Sequence, residues 1–234
     1  MHQKSLQLSH LLQIEKTGMK LNKELFSSSV LFTACLVLWP VFMAIAQPLG
    51  TLAEKFQWIM QNQTLFKAQF FLAFLISPSL IYMMLSQLKA IHGHLNKSDM
   101  PGYIFLSAYL VLCSVSYGAQ FIILPNLIDQ KPDTIAQVIY FDSGVSFTYF
   151  LNQTGYFFWA LGAIVLFLKA AFKKNPFQTI SVIYIISAVL SVIAFLGLML
   201  DNKIMNSMTF VSGIILVPAG IISIIRSIKS TKQL

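Results

Sequence analysis

Two runs of the chain decide the fold: Leu151–Phe172, LNQTGYFFWALGAIVLFLKAAF, and Phe177–Leu200, FQTISVIYIISAVLSVIAFLGLML, with only Lys173, Lys174, Asn175 and Pro176 between them. Each is long enough for a helix that crosses a bilayer, because a helical residue rises about 1.5 Å and the hydrocarbon core is about 30 Å thick. Each is apolar around its whole circumference rather than along one stripe, the pattern of a helix surrounded by lipid and other helices. So short a link makes the two runs antiparallel neighbours.

Working outward, the same reading marks Phe26–Ala46, Ala68–Leu88, Gly102–Leu124 and Ser207–Ile228. The expectation is an all-α polytopic membrane protein, a bundle of about six transmembrane helices. Residues 1–25 form a cytoplasmic N-terminal segment, 26–228 a single transmembrane domain and 229–234 a cytoplasmic tail. Composition agrees: of 234 residues 56% are hydrophobic and 10% charged, against about a quarter charged in soluble domains. No stretch remains for a separate water-soluble catalytic domain.

Sorting the cations tests the span count, since cytoplasmic loops carry an excess of Lys and Arg. With the N-terminus inside, twelve basic residues fall on the cytoplasmic side, among them Lys4, Lys23, Lys89, Lys173 and Arg226. Only Lys55, Lys67, Lys131 and Lys203 fall on the other. A missed or spurious span would scramble that division, so both termini are placed in the cytoplasm. The net charge of +8 is thereby a topology signal rather than a nucleic-acid surface. The first span lacks a small-residue cleavage pattern and reads as retained rather than as a signal peptide.

The connections carry their own signals. Leu49–Lys67 mixes Phe56, Trp58 and Ile59 with polar residues, as an interfacial helix anchored by Trp58 would. Gln130–Phe150 contains the run Val138-Ile139-Tyr140-Phe141, too apolar for a solvated loop, so it either dips back toward the bilayer or caps the helices. Leu6–Lys16 reads either as a weak amphipathic helix or as disordered chain.

No span has Asp, Glu, Arg or His in its middle, and the intramembrane relays and metal sites of enzymes and pumps need such groups. His92-Gly-His94 is a poor metal site without thiolate or carboxylate support. Cys35 and Cys113 lie in apolar runs without CxxC spacing and read as reduced packing residues. Asp142 is the one carboxylate in an apolar setting and a weak functional candidate. Ser114-xxx-Gly118 and Ser187-xxx-Ser191 have the spacing of close helix packing. Pro78, flanked by Ser77 and Ser79, predicts a kink whose freed carbonyls the hydroxyls satisfy.

The informative polar cluster spans the third and fourth helices: Ser116, Tyr117 and Gln120, then Asn152, Gln153, Thr154 and Tyr156. Amides cost several kcal/mol to bury in hydrocarbon unless paired, so they face each other or a wet cavity. Ser116, Tyr117 and Gln120 share one helical face. Two readings stay open: the amides join adjacent helices, or Ser116, Tyr117, Gln120, Asn152, Gln153 and Tyr156 line an outward-facing pocket walled by Phe121, Phe157 and Trp159.

Asn62-Gln-Thr-Leu-Phe66, and Tyr156-Phe-Phe-Trp159 through Lys173-Lys-Asn-Pro176, resemble a family of uncharacterised bacterial six-span membrane proteins known only as a domain of unknown function. The resemblance covers about half of the chain and brings no site residues. The expectation is a multi-pass protein of a bacterial inner membrane, consistent with a single arginine among many lysines. It is expected to be no enzyme, to hold no cofactor or metal, and to bind no nucleic acid. It binds or transports a small neutral, hydrophobic or lipid-like molecule, or else serves as a structural or regulatory subunit that meets a membrane protein partner or its own copies.

Overall fold

The computed structural model describes residues 22–93, 97–130, 134–141 and 146–229, and all regular structure among them is helical. Six stretches are long and apolar enough to span a membrane: Lys23–Ala46, Gln63–His92, Lys97–Gln130, Phe147–Phe172, Gln178–Met199 and Lys203–Ile228. The sequence reading located all of them, with several ends set short. The expected amphipathic segment at Leu6–Lys16, the residues His94 and Asp142, and the last residues of the tail lie outside the described residues.

In chain order the helices are α1 (Lys23–Ala46), α2 (Leu52–Gln61), α3 (Gln63–His92), α4 (Met100–Gly118), α5 (Leu124–Gln130), α6 (Thr134–Ile139), α7 (Phe147–Phe172), α8 (Gln178–Met199), α9 (Lys203–Asn206) and α10 (Met208–Lys229). The long helices form a ring, in which α1 packs on α3, α3 on α4, α4 on α7, α7 on α8, α8 on α10, and α10 back on α1. The closure is fastened where the Asn22 amide donates to the Ser227 carbonyl at 3.3 Å. This terminal end also carries the exposed Lys89–Glu24 ion pair at 3.1 Å, a contact worth under about 1 kcal/mol.

The outside of the ring is apolar, and its interior joins an apolar core to a set of buried polar side chains. Ser29, Ser77, Gln87, Ser116, Gln120, Asn152, Ser187 and Ser212 are buried, while Leu31, Val41, Val111, Val189 and Ile214 stand exposed. A water-soluble globule distributes these residue types the other way. In hydrocarbon the arrangement is favourable, because apolar side chains lose nothing by facing lipid and polar ones find partners inside.

Small residues set the close crossing between α4 and α7. A Cβ added at Gly162 would lie 2.9 Å from a Leu106 methyl, and one added at Gly155 would lie 2.7 Å from the Cys113 sulfur. Ser187 and Ser191 join α8 to α10 through Ser212, each with its hydroxyl 2.8 Å from the Ser212 hydroxyl. The other expected packing motif, Ser114-xxx-Gly118, sits at no close crossing, for a Cβ on Gly118 would meet nothing within 4 Å. α3 runs unbroken through Pro78, and the Ser79 hydroxyl bonds the Leu75 and Ile76 carbonyls at 2.7 and 3.0 Å in the turn before it.

The end opposite the termini is closed by short elements. α2 begins with a capping box in which Thr51 and Glu54 satisfy each other's amides, and it buries Phe56 and Ile59. These amide and hydroxyl bonds from Thr51 hold the Glu54 carboxyl below the usual carboxylate range. α4 continues into one π turn, Ala119–Ile123, in which the Leu124 amide reaches back to the Ala119 carbonyl. Pro125 accounts for it: the proline has no N–H, and its ring would crowd the Phe121 carbonyl in a regular helix, so the turn widens. The apolar run ending at Phe141 packs onto the ring as a cap.

Candidate functional site

The π turn carries Gln120 into the interior. Its side-chain amide donates to the Ile139 carbonyl at 2.7 Å and the Thr148 hydroxyl at 3.1 Å, while its oxygen accepts the Phe141 amide at 2.9 Å. The Ser116 hydroxyl donates to the Thr148 carbonyl at 2.7 Å. These two side chains therefore stitch the cap to α4 and α7. They satisfy the backbone of a segment that leaves helical geometry inside an apolar bundle, where unpaired groups are costly.

Held this way, the Phe141 ring sits 5.8 Å from Phe70, 5.8 Å from Tyr117 and 5.3 Å from Tyr149, centroid to centroid. Beside it, toward the end opposite the termini, lies a cavity of about 360 Å³ whose lining reaches the exposed Val37 and Ile214. Tyr117, Asn152, Gln153 and Tyr156 line it. Four of the six residues singled out in the sequence thus share one cavity, while Ser116 and Gln120 are engaged in the cap next to it. The expected walls lie elsewhere: Phe121 packs against Phe71 and Phe74, Phe157 stacks on Phe195 at 4.7 Å, and Trp159 is fully buried outside the lining.

The walls come instead from α1 and α10, through Leu36, Pro40, Met43, Phe210, Gly213 and Val217. The polar groups are partly self-satisfied. The Thr209 hydroxyl donates to the Gln153 side-chain oxygen at 2.6 Å, the Tyr149 hydroxyl donates to the Asn206 side-chain oxygen at 2.9 Å, and the Tyr117 and Tyr156 hydroxyls are 3.4 Å apart. The Asn152 side-chain amide donates to the Cys113 sulfur at 3.7 Å. Sequence reasoning missed Asn206 and Thr209 because polar residues at a span end have a sufficient explanation in the membrane boundary. It missed the α1 wall because ring closure between first and last spans leaves no trace in local spacing.

Among the described residues, none that lines the cavity carries a formal charge. Among the described residues no three His, Cys, Asp or Glu side chains gather as a metal site would require. What the arrangement can do is hold an uncharged molecule against apolar walls and orient it through a few amides and hydroxyls.

No family model, curated protein or solved structure matches this chain. The functional reading therefore rests on the cavity and on the polarity of the ring around it.

Proposed function

We propose that the protein is a multi-pass protein of a bacterial inner membrane, with both termini cytoplasmic, that binds a small neutral, hydrophobic or lipid-like molecule in this cavity. The observation that carries the reading is an apolar, charge-free cavity of about 360 Å³ with Asn152, Gln153 and Thr209 at its wall. An ionised ligand would lose its hydration there without gaining a counter-charge, whereas an uncharged one exchanges water for apolar contact. The cation asymmetry puts the cavity toward the outer face, so the molecule enters from that side. Transport across the bilayer extends this reading, and it requires a second state in which the packed terminal half opens.

The alternative, a non-catalytic subunit of a membrane complex, draws on small-residue faces for partner contact. Gly102, Gly155 and Gly162 and the Ser187–Ser191–Ser212 contact are spent within the chain, which favours ligand binding over association.

The test is to fill the cavity without disturbing its frame. Gly213 lines it, and an added Cβ there would meet nothing within 4 Å. Wild type released gently from its membrane is expected to retain a small molecule, and Gly213→Leu is expected to lose it while keeping the melting temperature within a few degrees. Unchanged retention would contradict the assignment of the cavity.

A further inference from the structure

The cavity is open on one side. α1 and α10 run antiparallel and are tied at the terminal end, where the Asn22 amide donates to the Ser227 carbonyl. Further along they touch closely, since a Cβ added at Gly220 would collide with the Thr33 hydroxyl. Beyond that crossing the same register brings Val37 opposite Ile214 and Met43 opposite Phe210, and all four line the cavity. Gly213 lies in this stretch, where an added Cβ would meet nothing within 4 Å. Val37, Phe210 and Ile214 are also 48%, 49% and 52% exposed. Residues that belong at once to the cavity lining and to the apolar outer surface mark an opening between the two helices.

The lining is graded along the bundle axis. Toward the end opposite the termini it carries Tyr149, Asn206 and Thr209, and toward the middle of the spans it carries Leu36, Ile76 and Val217. A lipid in the outer leaflet has the same gradient, its polar head outward and its hydrocarbon chain toward the midplane.

We infer that the opening between α1 and α10 is a side portal to the outer leaflet, through which the cavity takes the hydrocarbon chain of a membrane lipid, with the head held toward the outer face. The inference rests on the reading of the cavity and its orientation given above and adds the class of the molecule and its route. A chain that passes from lipid into an apolar cavity exchanges one apolar environment for another and meets no water on the way. The rim it crosses is apolar, formed by Val37 and Ile214, whereas Phe141 of the cap and Asn206 of α9 stand at the end that faces water.

The test uses the full chain reconstituted in phosphatidylcholine vesicles that contain a small share of the same lipid with a diazirine at the end of one acyl chain. After illumination, peptide mass spectrometry is expected to find adducts at Ile76, which lines the cavity and is only 4% exposed. It is also expected to find them at Val41, an exposed residue outside the lining. With the diazirine moved next to the glycerol, the cavity adducts are expected at Tyr149 and Thr209 instead. Val37→Trp combined with Ile214→Trp narrows the portal from its rim, and is expected to lose the cavity adducts while keeping those at Val41. Leu38→Trp, exposed but outside the lining, is expected to keep both. If the double variant folds poorly, either single replacement reads the same loss. Adducts at Val41 alone in the wild type, or cavity adducts unmoved by the rim replacements, would overturn the portal. Native mass spectrometry then separates the two readings. A small molecule retained by the wild type and lost by Gly213→Leu leaves the cavity assignment standing with another route, whereas none in either removes that assignment as well.

Discussion

Gln120 and Gln153 are both buried amides in apolar helices, yet they do different work. Gln120 bonds the cap and α7 at once, so Gln120→Leu leaves the buried Phe141 amide without its acceptor, while the Ile139 carbonyl keeps the Thr148 hydroxyl at 2.6 Å. The expected cost is about 3 kcal/mol, read as a lower melting temperature in detergent. Gln153 lines the cavity and accepts the Thr209 hydroxyl. Gln153→Leu is expected to cost about 1 kcal/mol or less while weakening ligand retention strongly. If both variants lose stability alike and ligand retention alike, the division between cap and cavity is wrong. The sequence pointed to these positions because an amide in an apolar run must be explained. It did not divide them, because the division depends on a π turn whose one visible signal, Pro125, falls just past the expected end of the third span. Asp142, also singled out, lies outside the described residues.

The spans were legible as elements because lipid imposes length and apolarity on every one of them. The crossing that joins α4 to α7 was less so, since Gly102, Gly155 and Gly162 do not stand four apart on one helix but act across two. An added Cβ at Gly162 would meet a Leu106 methyl at 2.9 Å and the Gly102 carbonyl oxygen at 3.2 Å. Gly162→Val is therefore expected to destabilise by about 2 kcal/mol through overpacking, whereas Gly118→Val, next to open space, is expected to have little effect. Comparable thermal melts for the two variants would contradict this crossing. Between α8 and α10 the Ser212 hydroxyl bonds two serines, and Ser212→Ala is expected to cost about 1 kcal/mol, as interhelical hydrogen bonds in membranes do.

At the scale of the whole molecule, a closed ring surrounds an apolar core with its buried polar groups, exposes apolar side chains outside, and brings the first and last spans together beside the cavity. Local patterns revealed the number of spans and their polarity, but not that α1 and α10 would supply the cavity's walls. Orientation is open to a direct check, because Cys35 and Cys113 are buried and silent to an impermeant maleimide. In intact cells Lys203→Cys is expected to label, and Lys173→Cys only after permeabilisation; the reverse pattern would invert the proposed topology. The central claim, that the cavity holds a small neutral, hydrophobic or lipid-like molecule, is tested most directly by native mass spectrometry of wild type and Gly213→Leu released gently from their own membrane. The account predicts a small neutral or lipid-like molecule retained by the wild type and missing from the variant. A wild type that carries no small molecule, or a variant that carries the same one, would contradict it.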